Sequence, residues 1–224
     1  MKRREFLVLS TTSIGGVLIY SLDGAVSHRE VHAAPAEVQT IRIPLQFFTQ
    51  AEAVAVAALA ARIFPSDEFG PGASEAGVAI YIDGQLAGPY GRDGHRYTQG
   101  PFEEGLPEQG YQGSATPQQV YRAGLKPLLG IERQSSTDQD KALQEIESTL
   151  FFRYLRTHTI EGMFCDPLHG GNTDMIGWQL IGFPGPRMSY LNDIDQHYGE
   201  EYRPKPVDLR ELFGDKVSSS EEER

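Results

Sequence analysis

Cysteine is almost absent from this sequence, which contains one cysteine and one tryptophan among 224 residues. A lone cysteine leaves two fates open, a free thiol or a bridge to another chain. With 39% hydrophobic and 23% charged residues, the composition is that of an ordinary globular protein. A chain of this length can bury a sizeable core.

Basic residues are also scarce, since 20 Lys and Arg stand against 31 Asp and Glu and give a net charge of −11. An acidic chain without a basic stripe argues against a nucleic-acid partner and against electrostatic binding to anionic lipid. The last residues include the acidic run Glu221-Glu222-Glu223. We expect residues 211–224 to form a disordered, solvated tail.

The common sequence signatures of catalysis are missing as well. The Gly170-Gly171-Asn172 stretch lacks the GxGxxG pattern of nucleotide-binding loops and is better explained as a tight turn. No second cysteine or histidine pair stands at zinc-ligand spacing. One alternative stays open, a stand-alone exported enzyme or metal-binding protein that uses Cys165, Asp166 and His169.

Long apolar runs are limited to the N-terminus, where 17 residues from Phe6 to Leu22 carry no charge. Basic residues precede this run and small residues at 33, 34 and 36 follow it, which is the layout of an export signal. We predict such a signal over residues 1–36, cleaved or retained as a membrane anchor. The twin-arginine type is indicated by four residues: Arg3, Arg4, Phe6 and Leu7.

The remaining patterns predict a mostly α fold, a single compact helical domain over residues 37–210 with long ordered loops rich in Gly and Pro. Thr49 followed by Glu52 fits a capping box, and Thr116-Pro117 is a typical helix start. Ser74 is expected to cap another helix. Apolar spacing predicts one continuous helix over residues 137–159, and a short helix is possible near residues 190–198.

Two segments stand out as candidate contact surfaces. Residues 88–113, called here the aromatic arm, contain seven glycines and three prolines, so they form no regular element. Aromatic side chains along such a stretch favour contact with a partner, although a self-packed loop is the other interpretation. The predicted contact residues of the arm are Tyr90, Tyr97, Phe102 and Tyr111.

The second surface is FCDPLHGGNTDMIGWQLIGFPGP, called here the 164–186 segment. Core packing and partner contact are both open for its tryptophan. Cys165 is either bridged to a partner subunit or a buried free thiol. The predicted contact residues are Phe164, Cys165, Asp166, Pro167, Gly170, Gly171, Asn172, Trp178 and Phe183.

These two surfaces together resemble a known family. The arm sequence GPYGRDGHRYTQGPF and the segment EGMFCDPLHGGNTDMIGWQLIGFPGPR are similar to gluconate 2-dehydrogenase subunit 3. This family also includes the small subunits of fructose, sorbitol and glucose dehydrogenase complexes. The similarity covers about residues 45–205.

The resemblance implies a heterotrimeric, FAD-dependent sugar or sugar-acid dehydrogenase in the periplasm, attached to the inner membrane through the complex. A large subunit of the glucose-methanol-choline type would hold FAD, and a multi-haem cytochrome c subunit would hold haem. The small subunit would hold no cofactor, metal or catalytic residue. It would stabilise the large subunit and escort it through the twin-arginine translocation machinery. Within the family we expect a small residue such as alanine to be common at position 165.

Overall fold

The computed structural model describes residues 44–214, apart from residues 98, 104 and 192. Helices and loops make up this part of the chain, with an isolated bridge between Asp67 and Gly70 and no β-strand among the described residues. The mostly α prediction is therefore confirmed. The α-helices are α1 (Gln50–Ile63), α2 (Val78–Ala87), α3 (Pro117–Leu125), α4 (Ser136–Glu145), α5 (Leu150–Phe164) and α6 (Ile176–Ile181).

Local capping explains where several helices begin. The Thr49 hydroxyl accepts a hydrogen bond from the Glu52 N–H, and the Glu52 carboxylate accepts one from the Thr49 N–H at 2.8 Å. Thr116 and Gln119 form the same reciprocal pair at the start of α3. Both predicted starts are confirmed. Ser74 is not a cap, because α2 begins after Gly77, whose left-handed conformation (φ +72°) turns the chain into the helix without a side-chain cap.

The continuous helix predicted over residues 137–159 is wrong. The chain turns between α4 and α5, where the Thr149 N–H donates to the Ile146 carbonyl at 2.9 Å. The Thr149 hydroxyl then caps α5 by accepting from the Phe152 N–H at 3.1 Å. The helix expected near residues 190–198 is also not formed, since the described residues there make successive turns.

The core lies where α1, α2 and α5 meet, with α3 packed against α5. Its fully buried side chains include Leu59, Ile82, Tyr121, Leu155 and Met163. No helix within the described ranges is both long and apolar enough to cross a bilayer. At the C-terminal end, residues 209–214 are helical, and the rest of the predicted acidic tail lies outside the described residues.

A buried carboxylate fixes the chain just before α1. Asp83 is 3% exposed and accepts three backbone hydrogen bonds, from Gln46 at 2.7 Å, Phe47 at 3.0 Å and Phe48 at 2.7 Å. Hydrogen bonds of this kind offset the cost of removing a carboxylate from water. Asp83 therefore ties residues 46–48 to α2.

Candidate functional site

The 164–186 segment folds back sharply at the end of α5. The Asp166 carboxylate accepts hydrogen bonds from the Leu168 N–H at 2.9 Å and from the Leu209 N–H at 3.0 Å. It thus caps a short turn and also holds the returning C-terminal chain. Gly170, at φ +89°, then reverses the backbone as the sequence predicted.

Asn172 joins the end of α5 to the start of α6 and is fully buried. Its side-chain amide donates to the Cys165 carbonyl at 2.8 Å, and its side-chain oxygen accepts from the Gly177 N–H at 2.8 Å. Its backbone N–H donates to the Gly162 carbonyl at 2.8 Å. These three bonds satisfy backbone groups that neighbouring helix ends leave free.

Trp178 of α6 is buried against the end of α5. The ring is 4% exposed, and its N–H donates to the Phe164 carbonyl at 2.7 Å. The side chains of Asn172 and Trp178 are therefore turned into this chain, and direct contact of these two residues with a partner stays a prediction. Their physical role is to shape the surface around them.

The outer face of the segment exposes apolar side chains beside the polar His169, Thr173, Asp174 and Gln179. Phe183 packs edge-to-face on Trp178 with ring centroids 5.2 Å apart, yet its other side remains exposed. Leu168 and Ile181 are also exposed, and Phe164 and Pro167 are half-buried. A rigid internal frame thus presents apolar side chains outward, which is the arrangement of a binding surface. Contact of these residues with a partner stays a prediction.

The aromatic arm is self-packed at its base and exposed at its tip. The Tyr90 hydroxyl is hydrogen-bonded to His158 at 2.8 Å, and the Tyr111 hydroxyl accepts from the Ala115 N–H at 3.0 Å. Tyr97 and Phe102, by contrast, are exposed. The self-packed interpretation therefore holds at the base of the loop, and contact of the exposed tip with a partner stays a prediction.

The family model described as gluconate 2-dehydrogenase subunit 3 matches residues 50–134 and 127–185. This span covers more than half of the chain, including the aromatic arm and most of the 164–186 segment. The chain belongs to this family. No curated protein and no solved structure matches it. As a subunit 3 protein, it is consistent with a small subunit of a multi-subunit dehydrogenase complex.

The alternative site of this subunit 3 protein, built on Cys165, Asp166 and His169, is not assembled in the structure. Asp166 directs both oxygens to backbone N–H groups, and His169 is exposed. Cys165 is half-buried with its sulfur 3.7 Å from the Gly162 carbonyl oxygen, and burial raises its pKa to about 11. Within the described part of the chain, no three His, Cys, Asp or Glu side chains come together as a possible metal site.

His158 is a central residue of the site that the sequence analysis missed. Its Nδ1 lies 2.8 Å from the Tyr121 hydroxyl and its Nε2 lies 2.8 Å from the Tyr90 hydroxyl. Burial lowers its pKa to about 4 and raises the pKa of both tyrosines. The available signal was its position on the apolar face of α5, three residues after Leu155.

His158 therefore anchors the aromatic arm to the core through Tyr90. Glu161, one turn further along α5, accepts a hydrogen bond from the Tyr81 hydroxyl at 3.2 Å, and burial raises its pKa.

The four predicted export residues, Arg3, Arg4, Phe6 and Leu7, lie outside the described residues.

Proposed function

We propose that this chain is the non-catalytic small subunit of a periplasmic, membrane-associated, FAD-dependent sugar or sugar-acid dehydrogenase. Its role is to stabilise the flavoprotein large subunit and to escort it through the twin-arginine route. FAD resides in that large subunit, of the glucose-methanol-choline type, and haem c in a multi-haem cytochrome subunit. Family membership supports a place in such a complex.

One observation carries the proposal that this chain binds rather than reacts. Four polar side chains of the 164–186 segment are hydrogen-bonded to backbone groups, those of Asp166, Asn172, Thr173 and Gln179. The apolar side chains beside them are exposed. Groups that hold backbone in place serve a rigid surface, whereas a general acid or base must be free to meet a substrate.

The physical reason for an escort lies in the flavin. A large subunit that receives FAD in the cytoplasm has to cross the membrane folded. A tightly bound small subunit can provide the export signal for the pair. A pair that survives transport needs a large, apolar, obligate interface of more than about 2,000 Å². We assign the tip of the aromatic arm and the outer face of the 164–186 segment to it.

The decisive experiment is co-expression of the chain with its large subunit after Arg3→Lys and Arg4→Lys are introduced together. We expect the large subunit to stay in the cytoplasm, as measured by cell fractionation and by flavin-dependent dye reduction in the periplasm. Arg29→Lys, which changes an arginine outside the pair, is the matched control. Normal periplasmic amounts of the large subunit with the double variant would contradict the escort role.

A further inference from the structure

The residues that follow the family match form an exposed apolar loop. The match ends at residue 185, and residues 187–203, called here the C-terminal loop, come directly after it. Leu191 is 77% exposed and Tyr198 is 87% exposed. The large apolar side chains that this loop exposes are Met188, Tyr190, Leu191, Ile194, Tyr198 and Tyr202.

The C-terminal loop is organised around a charged centre. The Asp193 carboxylate accepts hydrogen bonds from the Arg187 guanidinium at 2.6 Å and from the Tyr202 hydroxyl at 3.3 Å. The His197 ring stacks on the Tyr202 ring with centroids 3.9 Å apart. The charged pair Arg187 and Asp193 is thus partly buried inside the loop while large apolar side chains are exposed, an arrangement that burial from water does not favour in an isolated chain.

This arrangement holds the outward side chains in place before any partner arrives. Pre-organisation of a binding loop reduces the entropy lost on association. Tyrosines and aliphatic side chains on such a loop supply large contact area with few rotatable bonds. The loop therefore has the construction of a binding surface.

The chain after the loop returns to the 164–186 segment. The Val207 N–H donates to the Pro184 carbonyl at 3.2 Å, and the Leu209 N–H donates to Asp166 at 3.0 Å. Between the loop end and α6 lies an open cavity that includes Trp178, Phe183, Arg203 and Lys205 in its lining. The end of the C-terminal loop therefore adjoins the 164–186 segment across this cavity.

We propose that the C-terminal loop docks on the flavin-containing large subunit of the chain's own complex and helps to select that subunit. The inference rests on the proposed function, which assigns the adjoining 164–186 surface to the large subunit.

Charge defines the matching surface on the large subunit. Asp195, Glu200 and Glu201 of the C-terminal loop are exposed, and the one exposed basic residue described in this loop, Arg203, is paired with Glu201 at 2.6 Å. A complementary surface is an apolar patch with basic residues at its rim, since opposite charges around an apolar centre fix orientation and exclude wrong partners. The occupant is therefore a patch of that kind on the flavin-containing large subunit.

The test compares two identical substitutions at exposed leucines, Leu191→Asp in the loop and Leu129→Asp outside both proposed surfaces. Each variant is co-expressed with the tagged large subunit, and the dissociation constant of each purified pair is measured by titration. We expect Leu191→Asp to weaken binding at least tenfold and Leu129→Asp to leave it unchanged. Asp193→Ala, which frees Arg187 and Tyr202, is expected to weaken binding by a smaller factor.

The outcomes separate the two proposals. If the unsubstituted chain binds the large subunit and Leu191→Asp binds equally well, the loop proposal is overturned while the small-subunit function stands. If the unsubstituted chain does not bind the large subunit, the proposed function falls and the loop proposal falls with it. Tyr198→Ser provides a second loop variant, and circular dichroism of each chain checks that the helical fold is retained.

Discussion

His158 sits between two tyrosine hydroxyls, and its burial holds the ring neutral. In a neutral imidazole one nitrogen donates and the other accepts, so both hydroxyls can be satisfied at once. Burial lowers the pKa of His158 to about 4 in the folded chain, against about 6.5 when unfolded. Between pH 6.5 and 4, His158 is therefore mostly protonated in the unfolded chain and mostly neutral in the folded chain.

The free energy of unfolding should consequently fall as the pH drops from about 6.5 towards 4. The shift of the His158 pKa corresponds to a loss of up to about 3 kcal/mol over that interval. Above pH 6.5 this contribution is constant. Urea unfolding at several pH values measures it, and His158→Gln should reduce the slope between pH 5 and 6.5.

Glu161 acts with the opposite sign, because burial raises its pKa, so the titration is made with a Glu161→Gln chain over pH 5 to 6.5. Burial alone would raise the pKa of Glu52 and of Asp140. The hydrogen bond from Arg122 to Glu52 and the one from Arg62 to Asp140 outweigh burial, so the pKa of each acid is lowered. Stability from these two acids is present above their unfolded pKa and is lost only at lower pH. An unfolding free energy that is flat from pH 5 to 6.5 in the Glu161→Gln chain would refute the assignment to His158.

Trp178 gives a second prediction at a single residue. Replacing a buried Trp by Ala removes its packing and leaves a cavity, so Trp178→Ala should cost about 3–5 kcal/mol of unfolding free energy. Trp178→Phe keeps most of the ring but leaves the Phe164 carbonyl without its donor, and should cost about 1–3 kcal/mol. Chemical denaturation measures both. A normally stable Trp178→Ala chain that no longer binds the large subunit would place this ring at the interface instead.

At the scale of an element, two glycines lie in opposite packing environments. Gly84 lies on an open side of α2, and Gly177 lies where α6 packs closely on α5. Nothing stands within 4 Å of a Cβ added at Gly84 in α2, whereas a Cβ at Gly177 in α6 would overlap the Met163 carbonyl oxygen of α5. Gly84→Ala should raise the free energy of unfolding by about 0.5–1 kcal/mol through helix propensity. Gly177→Ala should lower it by about 1–3 kcal/mol through overpacking. Equal stability of the two variants in urea would show that α5 and α6 separate easily.

Helix starts were predictable because capping is local. Thr49 with Glu52 and Thr116 with Pro117 carry their signal within four residues. The break between α4 and α5 was not predictable from apolar spacing, because both helices bury a face and the pattern continues across the turn. The cap by Thr149 and the left-handed Gly77 decide such boundaries, and hydrophobic periodicity does not report either of them.

The candidate site was predictable in part for a similar reason. The unusual composition of the 164–186 segment marked it as special, and Gly170 indicated its turn. The sequence did not distinguish side chains that build the corner, such as Asn172, from those that remain outside, such as Ile181. That distinction depends on how α5 and α6 pack, which involves contacts between chain segments rather than local patterns.

On the scale of the whole molecule, most of the exposed large apolar side chains of the described residues lie in two regions, the aromatic arm and residues 181–213. The arm contributes Tyr97, Phe102 and Leu106, and the C-terminal loop continues from Phe183. Contiguous exposed apolar surface in a chain with a net charge of −11 is typical of a subunit whose contacts are completed by another chain.

The lone cysteine tests this assembly directly. At neutral pH the Cys165 thiol stays protonated, because burial raises its pKa to about 11, and thiols oxidise through the thiolate. The isolated chain should therefore resist forming disulfide-linked dimers in air. In the proposed complex, a large-subunit cysteine placed beside Cys165 would form a bridge after the proposed export, with an oxidant of that compartment accepting the two electrons.

Non-reducing gels of the purified complex should then show a covalent heterodimer that reducing agent separates. Cys165→Ser should abolish this band while the two subunits still purify together, since the apolar contacts do not depend on sulfur. Cys165→Ala is the matched control for the serine hydroxyl and should behave in the same way. A complex that runs as two separate chains without reducing agent would identify Cys165 as a buried free thiol, and the interface would then rest on packing alone.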